Sequence, residues 1–509
     1  MKKTYLIIAA LAIGTYASAQ KIADPTKYAG LITADDAKRH LSILASDEFE
    51  GRETGKPGAD KAANYIAGEF KKLGLQAPVN GSYFLEVPLV ENSTKITVNL
   101  NGHELVNGED FLTGRGAIAD RSIEAQQVVF IGYGTEAEIG TADLTGKVLL
   151  WVNEDKPEPG KTANASYRMS TARTAILKNL QSKKPALIFA VNPDITNLLK
   201  RMRGAGMGGR LIIKSDVKPT DAAVINIATA TADQIVNANG KSFGDIKNAP
   251  VQTLNSGIKA SIATETKDVK AVDVLGYLPG TDLKDEVLVF SAHYDHLGLN
   301  PKGTDKVYNG ADDDGSGTTG ILEIARAFAK AKKDGHGPRR SILFLGNVGE
   351  EKGLLGSEYY TDHPVFPLAN TITDLNIDMI GRVGFDYIGK ADSGNYVYTI
   401  GSAMLSKELH QINEDADNKY VHIEQDYKYD DLNDPNRFYY RSDHYNFAKH
   451  GVPIIFYFDG VHADYHQVSD EVSKINFPLL AKRAQLVFYT GWELANRDKR
   501  PVVDAAAGK

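Results

Sequence analysis

Three textures of apolar and polar positions divide the chain. In the first, Leu41, Ile43 and Leu44, and then Ala62, Tyr65, Ile66, Phe70 and Leu73, recur at helical spacing and predict two helices with one apolar stripe each. Thr33 stands where an N-cap belongs, Asp35 and Asp36 occupy the opening turn, and Gly74 closes the second pattern. Between the helices, residues 50–58 form a polar, turn-rich loop. From about 110 to 262 the runs shorten: 128–131, 147–152 and 186–191 are compact, apolar and bounded by turn residues, which predicts strands. From about 270 onward, strand-like runs at 287–290, 342–345 and 453–458 alternate with helical stripes. Ile321, Leu322, Ile324, Ala325 and Phe328 make one stripe, and Leu480, Ala484, Val487 and Phe488 another. Such alternation predicts an α/β fold with a mixed, largely parallel central sheet covered by helices.

These changes of texture suggest five stretches. Residues 1–19 read as a signal peptide, 20–109 as the N-terminal segment of a catalytic domain, and 110–262 as a β-rich inserted domain. Residues 263–500 read as the catalytic domain itself and 501–509 as a flexible tail. Within 263–500, the segment 384–440 is rich in Tyr, Asp and Asn and reads as an irregular insertion. The signal rests on Lys2 and Lys3, the apolar run 6–13 and the small-residue site Ala17-Ser18-Ala19. That run is too short to span a bilayer, so the expectation is export, periplasmic or secreted, with no membrane anchor after cleavage. Cysteine is absent from all 509 residues, so stability must come from the core and any bound metals rather than disulfides. With 58 basic and 65 acidic residues and no long basic run, nucleic acid is not an expected partner.

Three motifs promise more than their context supports. Gly204-Ala205-Gly206-Met207-Gly208-Gly209 fits a dinucleotide pattern but follows a helical stretch and precedes a strand, the reverse of a Rossmann turn. Gly240-Lys241-Ser242-Phe243-Gly244 lacks the apolar strand a nucleophile elbow needs. Asp312, Asp314, Ser316, Gly317 and Glu323 fall at calcium-loop positions, yet no helix leads in and Glu323 lies well inside the following helix.

Five fragments carry stronger chemistry, and each ends or follows an apolar run: His293-Tyr294-Asp295, Asp312-Asp313-Asp314, Glu350-Glu351, Asp378 and Tyr465-His466. Open α/β sheets place ligands at such strand ends. Imidazole and carboxylate together suit zinc. Residues two apart on a strand share a face, so Asp295 can reach the ring nitrogen of His293 that a metal leaves unused. His296 competes as a ligand. Three successive aspartates are costly to crowd together without a cation or a helix N-terminus. At a strand end Glu350 and Glu351 point in opposite directions, so one can bind metal while the other faces an attacking water.

In this order the residues resemble the co-catalytic zinc aminopeptidases, the aminopeptidase Y and bacterial leucyl aminopeptidase family, relatives of glutamate carboxypeptidase and glutaminyl cyclase. The resemblance covers about 265–500. The opening segment Leu44-Ala45-Ser46-Asp47-Glu48-Phe49-Glu50-Gly51-Arg52 also resembles that family, and the inserted stretch resembles a protease-associated domain. The resemblance implies a zinc-exopeptidase fold and two zinc ions per chain. By the same resemblance Asp313 would bridge the ions, one also held by His293 and Asp378, the other by Glu351 and His466. It also implies Glu350 as general base, Asp295 as partner of His293, Tyr465 as an oxyanion donor, and a hydroxide shared by the ions. The implied reaction removes N-terminal residues from peptides. Carboxypeptidase action, with Arg382, Arg437 or Arg441 clamping a carboxylate, glutaminyl cyclisation, and a catalytically inactive binding protein are the alternatives.

Overall fold

The computed structural model describes residues 23–113, 118–157, 169–202, 209–216 and 222–504. The expected signal peptide, the glycine-rich residues 204–208 and residues 505–509 lie outside them. The chain forms two compact units. One comprises residues up to Leu85, Asp273–Glu350 and residues from Tyr360 onward; the other comprises Glu86–Val272 and Glu351–Tyr359.

In the first unit the end of strand β1 (Gln252–Leu278) is followed by β2 (Leu283–His293), β3 (Arg340–Asn347), β4 (Thr371–Ile377), β5 (Tyr396–Ile400), β6 (Glu424–Asp426) and β7 (Ile454–Phe458). Their order across the sheet is β6-β5-β7-β4-β2-β3-β1. The central strands β7, β4, β2 and β3 are mutually parallel, while β1 and β5 run antiparallel to their neighbours β3 and β7. The mixed, largely parallel sheet expected from the periodicity is therefore present.

Strand alternation explains why these runs are apolar throughout. Val287 and Val289 face a cluster that includes Phe447 of the short helix His444–Lys449. Phe290, one residue on, turns to the opposite face, where its ring lies 5.8 Å from Phe328. Phe328 belongs to helix α3 (Gly315–Lys333) and also meets Phe488 and Trp492 of helix α4 (Phe477–Asn496), with ring centroids 4.9 and 5.6 Å away. Helices α1 (Ala34–Leu44) and α2 (Pro57–Lys72) form where the stripes placed them, and Thr33 Oγ1 accepts from Asp36 N as the N-cap of α1. Pro501 is buried, and 501–504 are held rather than loose: Val502 N donates to Glu408 and Asp504 N to the Leu405 carbonyl.

Among the described residues the second unit carries more strand than helix, and it also places helices between its strands. Its strands Arg121–Phe130, Val148–Val152, Leu187–Val191 and Ala223–Ile227 pair in parallel, with helices Thr171–Ser182 and Ile195–Met202 in the connections. The first of these helices buries only Arg173 and Leu180 fully, so its apolar stripe is too weak to read from spacing. The units part at 85/86 and 272/273, not near 110 and 262. The long strands Phe84–Leu100 and Gln252–Leu278 run past both positions, so the change of texture marks no edge there. Among the described residues no helix is long and apolar enough to cross a membrane.

Candidate metal centre

Because β2, β3 and β4 are parallel and in register, their carboxyl ends reach the same edge of the sheet. His293 is the last residue of β2, Glu350 lies three residues beyond β3, and Asp378 follows β4 directly. His293 Nε2 lies 3.3 Å from Asp313 Oδ1, 3.7 Å from Asp378 Oδ1 and 3.9 Å from Glu350 Oε2. The imidazole is buried, and Nε2 makes no well-aligned hydrogen bond. Its other nitrogen, Nδ1, is 3.1 Å from the carbonyl of Asp295 and 3.7 Å from that residue's carboxylate. Asp295 thus faces Nδ1 as expected, although its main chain is the nearer acceptor. A proton on Nδ1 leaves Nε2 with its lone pair toward the three carboxylates.

The aspartate run resolves into three tasks. Asp314 caps α3: its Oδ1 accepts from Gly317 N at 2.8 Å and from Met379 N at 3.1 Å. A Cβ on Gly317 would fall 2.4 Å from that carboxylate, so the cap requires glycine there. Asp312 accepts from Gly381 N at 2.7 Å and lies 3.1 Å from His462 Nε2. Only Asp313 lies between imidazoles, with Oδ1 facing His293 and Oδ2 3.1 Å from His466 Nε2. The calcium-loop pattern does not converge: Ser316 Oγ donates to the Asp312 carbonyl, and Glu323 pairs with Arg326 along the helix.

Several positioning residues carry no donor motif of their own. Arg52 is buried and gives its guanidinium to four main-chain carbonyls, those of Leu44, Tyr294, Asn309 and Gly310, at 2.6–2.8 Å. It thereby ties the loop after β2 to the loop before α3. Thr54 Oγ1 donates to Asp295 Oδ2 at 2.6 Å, and Asp295 Oδ1 accepts from Glu350 N at 3.2 Å, so Asp295 also orients the Glu350 backbone. Asp470 Oδ2 accepts from the backbone N–H groups of Asp312 and Asp313, and Ser442 Oγ donates to Asp378 Oδ2 at 2.7 Å. Arg52 had a signal, its place in the family-like opening segment; Ser442 and Asp470 had none.

A cleft opens on the centre, lined by Asp313, Glu350, Asp378, Phe438, Arg441 and Tyr465 among others. Of the three candidate clamps, Arg382 pairs with Asp464 at 2.8 Å and Arg437 lies over Tyr440, whereas Arg441 donates to Tyr465 Oη at 3.2 Å. Glu351 heads the stretch 351–359 that groups with the second unit.

The donor set fits a cation. His293, Asp313 and Asp378 each offer a ligand atom, all within 4.8 Å of one another. Burial pushes the His293 imidazole down, but the Asp378 and Glu350 charges prevail and hold it well above the usual histidine range. Burial likewise works against ionised Asp313, yet His293 and His466 keep it well below the ordinary carboxylate range. A buried set that seeks positive charge this strongly suits zinc, with borderline nitrogen and hard oxygen donors.

Residues 273–491 match the model of peptidase family M28. Aminopeptidase YwaD of Bacillus subtilis is 32% identical over 133 residues, which cover 25% of this chain and 26% of that protein. A probable zinc metalloprotease of Pyrenophora teres f. teres is 32% identical over 128 residues, 25% of each chain. The chain therefore spans about a quarter of the length of these curated relatives. An aminopeptidase from Aneurinibacillus sp. strain AM-1 shares the fold, with a TM-score of 0.58 at 18% identity over 95% of this chain and 98% of that one. The stretch 273–491 that matches the model of peptidase family M28 is the one that carries the histidines and carboxylates gathered at the ends of the parallel strands.

Proposed function

We propose that this protein is an exported aminopeptidase that holds two zinc ions per chain and hydrolyses the first peptide bond of its substrates. The observation that carries this reading is Asp313, whose two oxygens meet different imidazoles, His293 at 3.3 Å and His466 at 3.1 Å. Asp313 would hold both ions, with His293 and Asp378 completing one site and His466 and Glu351 the other. Zinc, when bound, supplies Lewis acidity toward the scissile carbonyl and acidifies water.

The chain's own residues do the rest. Glu350 lines the cleft, and its backbone is held by Asp295. Its carboxylate takes a proton from the attacking water and delivers it to the departing amine. Tyr465, whose hydroxyl accepts from Arg441, turns its own proton toward the carbonyl oxygen as negative charge develops there. Phe438, Phe456, Phe458, Met379 and Val461 give the cleft an apolar wall that favours an apolar N-terminal side chain.

Release from a peptide library followed by mass spectrometry, with and without a chelator, tests the reading. Loss of single N-terminal residues that stops on zinc removal and returns on zinc addition is expected. Trimming from the carboxyl end, or activity that survives complete zinc removal, overturns it.

A further inference from the structure

The ligand set just proposed leaves one buried imidazole of the centre without a task. His296 is fully buried, three residues beyond His293, on the loop that Arg52 anchors. Its backbone is fixed: His296 N donates to the Arg52 carbonyl at 3.2 Å, and the residue forms a parallel bridge with Glu53. Its ring lies in a slot closed by Gly310. A Cβ at that glycine would fall 2.5 Å from both Cγ and Cδ2 of the imidazole, and Gly310 has φ 56°. Any side chain at 310 would therefore displace the ring.

The slot aims the ring at one side of the bridging carboxylate. His296 Nδ1 is 4.0 Å from Asp313 Oδ2, the same oxygen that His466 Nε2 meets at 3.1 Å. His293 approaches the other oxygen, Oδ1. The His296 and His466 ring centroids are 6.0 Å apart at an interplanar angle of 71°. Two imidazoles that share one zinc, each at about 2.0–2.1 Å, bring their centroids to about 5–6 Å. The separation thus suits a shared ion, and crossed planes keep the rings from colliding as both point inward.

We infer that His296 is a further ligand of the second zinc ion, on the His466 side of Asp313. This deepens the proposed function and rests on its two-ion reading. It makes the two sites unequal: His293 supplies the one imidazole beside Asp378, while His466 and His296 supply two on the other side. Additional nitrogen donors bias a site toward zinc over manganese or magnesium, which prefer oxygen. Neutral imidazole adds no charge, so the second ion keeps its electrophilic character.

The test uses the full-length protein stripped of metal and titrated with zinc, with bound ions counted by mass spectrometry and affinities measured by chelator competition. Wild type is expected to bind two ions. His296→Ala and the more conservative His296→Gln are expected to keep one ion at wild-type affinity and to weaken the other at least about tenfold, since even groups behind metal ligands cost 10–100-fold. Circular dichroism of the metal-free variants reports whether they fold. A measurement on wild type alone gives an independent answer. With cadmium-113 in place of zinc and nitrogen-15 histidine, one cadmium resonance should couple to two imidazoles and the other to one. Two bound ions, each coupled to a single imidazole, with unchanged affinity in the variants, overturn the assignment and leave the two-ion reading standing. Fewer than two ions in wild type overturn both.

Discussion

The two units of this chain solve the same architectural problem and end it differently. Both lay parallel strands side by side with helices in the connections. In the second unit, the strand ends at Val152 and Val191 pass to Asn153 and Asn192, whose amides are satisfied locally: Asn192 Nδ2 donates to the Asn153 carbonyl at 2.7 Å, and Asn192 Oδ1 accepts from Asp194 N at 2.9 Å. The carboxylate there, Glu154, receives both of its oxygens' bonds from Lys247. In the first unit the same edge carries Glu350, Asp378 and Asp313 around one imidazole, an arrangement whose charges do not cancel. Parallel strands supply a place for a ligand; whether the edge is neutralised from within decides if one is needed.

That contrast can be broken experimentally, and the largest effect is expected at the base. Glu350→Gln keeps size and shape, so zinc content should hold while kcat falls at least about a hundredfold. A near-wild-type rate in steady-state assays would remove Glu350 from the mechanism. Next comes the anchor. Arg52→Met strips donors from four buried carbonyls, each costing about 1–3 kcal/mol if left unmade. Thermal unfolding should show a clearly less stable first unit, and an unchanged melting temperature would mean the guanidinium holds nothing in place.

A smaller effect concerns pH. Burial raises the Glu323 carboxyl to about 7, against 4.5 for a free glutamate. The raised value means that the stability linked to its protonated form is complete below about pH 4.5 and lost as pH rises through about 7. Denaturant midpoints should therefore fall between pH 5 and 8 by the equivalent of about 2–3 kcal/mol from this group, and Glu323→Gln should flatten the slope. The smallest effect on function is expected in the second unit. Asn192→Ala should cost about 1–3 kcal/mol of stability through the lost amide bonds and leave peptide hydrolysis unchanged. A large loss of activity would tie that unit's strand ends to catalysis.

Much of the centre was legible because its chemistry is local. A strand that ends in His293 or runs into Asp378 reveals itself by an apolar run broken by a ligating side chain. The triple aspartate was legible only as a group. Asp314 turned out to be a helix cap and Asp312 a partner of Gly381 and His462, roles that depend on residues about 70 and 150 positions away. Arg52, Ser442 and Asp470 act across 64 to 258 positions of sequence, and no periodicity encodes such contacts. The unit edges were hidden for the opposite reason. Strands of 17 and 27 residues cross them without a turn signal.

The central claim is that Asp313 joins two metal sites. Zinc content of purified Asp313→Ala, measured beside wild type, tests it most directly. Two ions per wild-type chain and the loss of both in the variant are the predicted result, because each ion forfeits a carboxylate oxygen at once. A variant that retains two tightly held ions would contradict the bridge and the mechanism built on it.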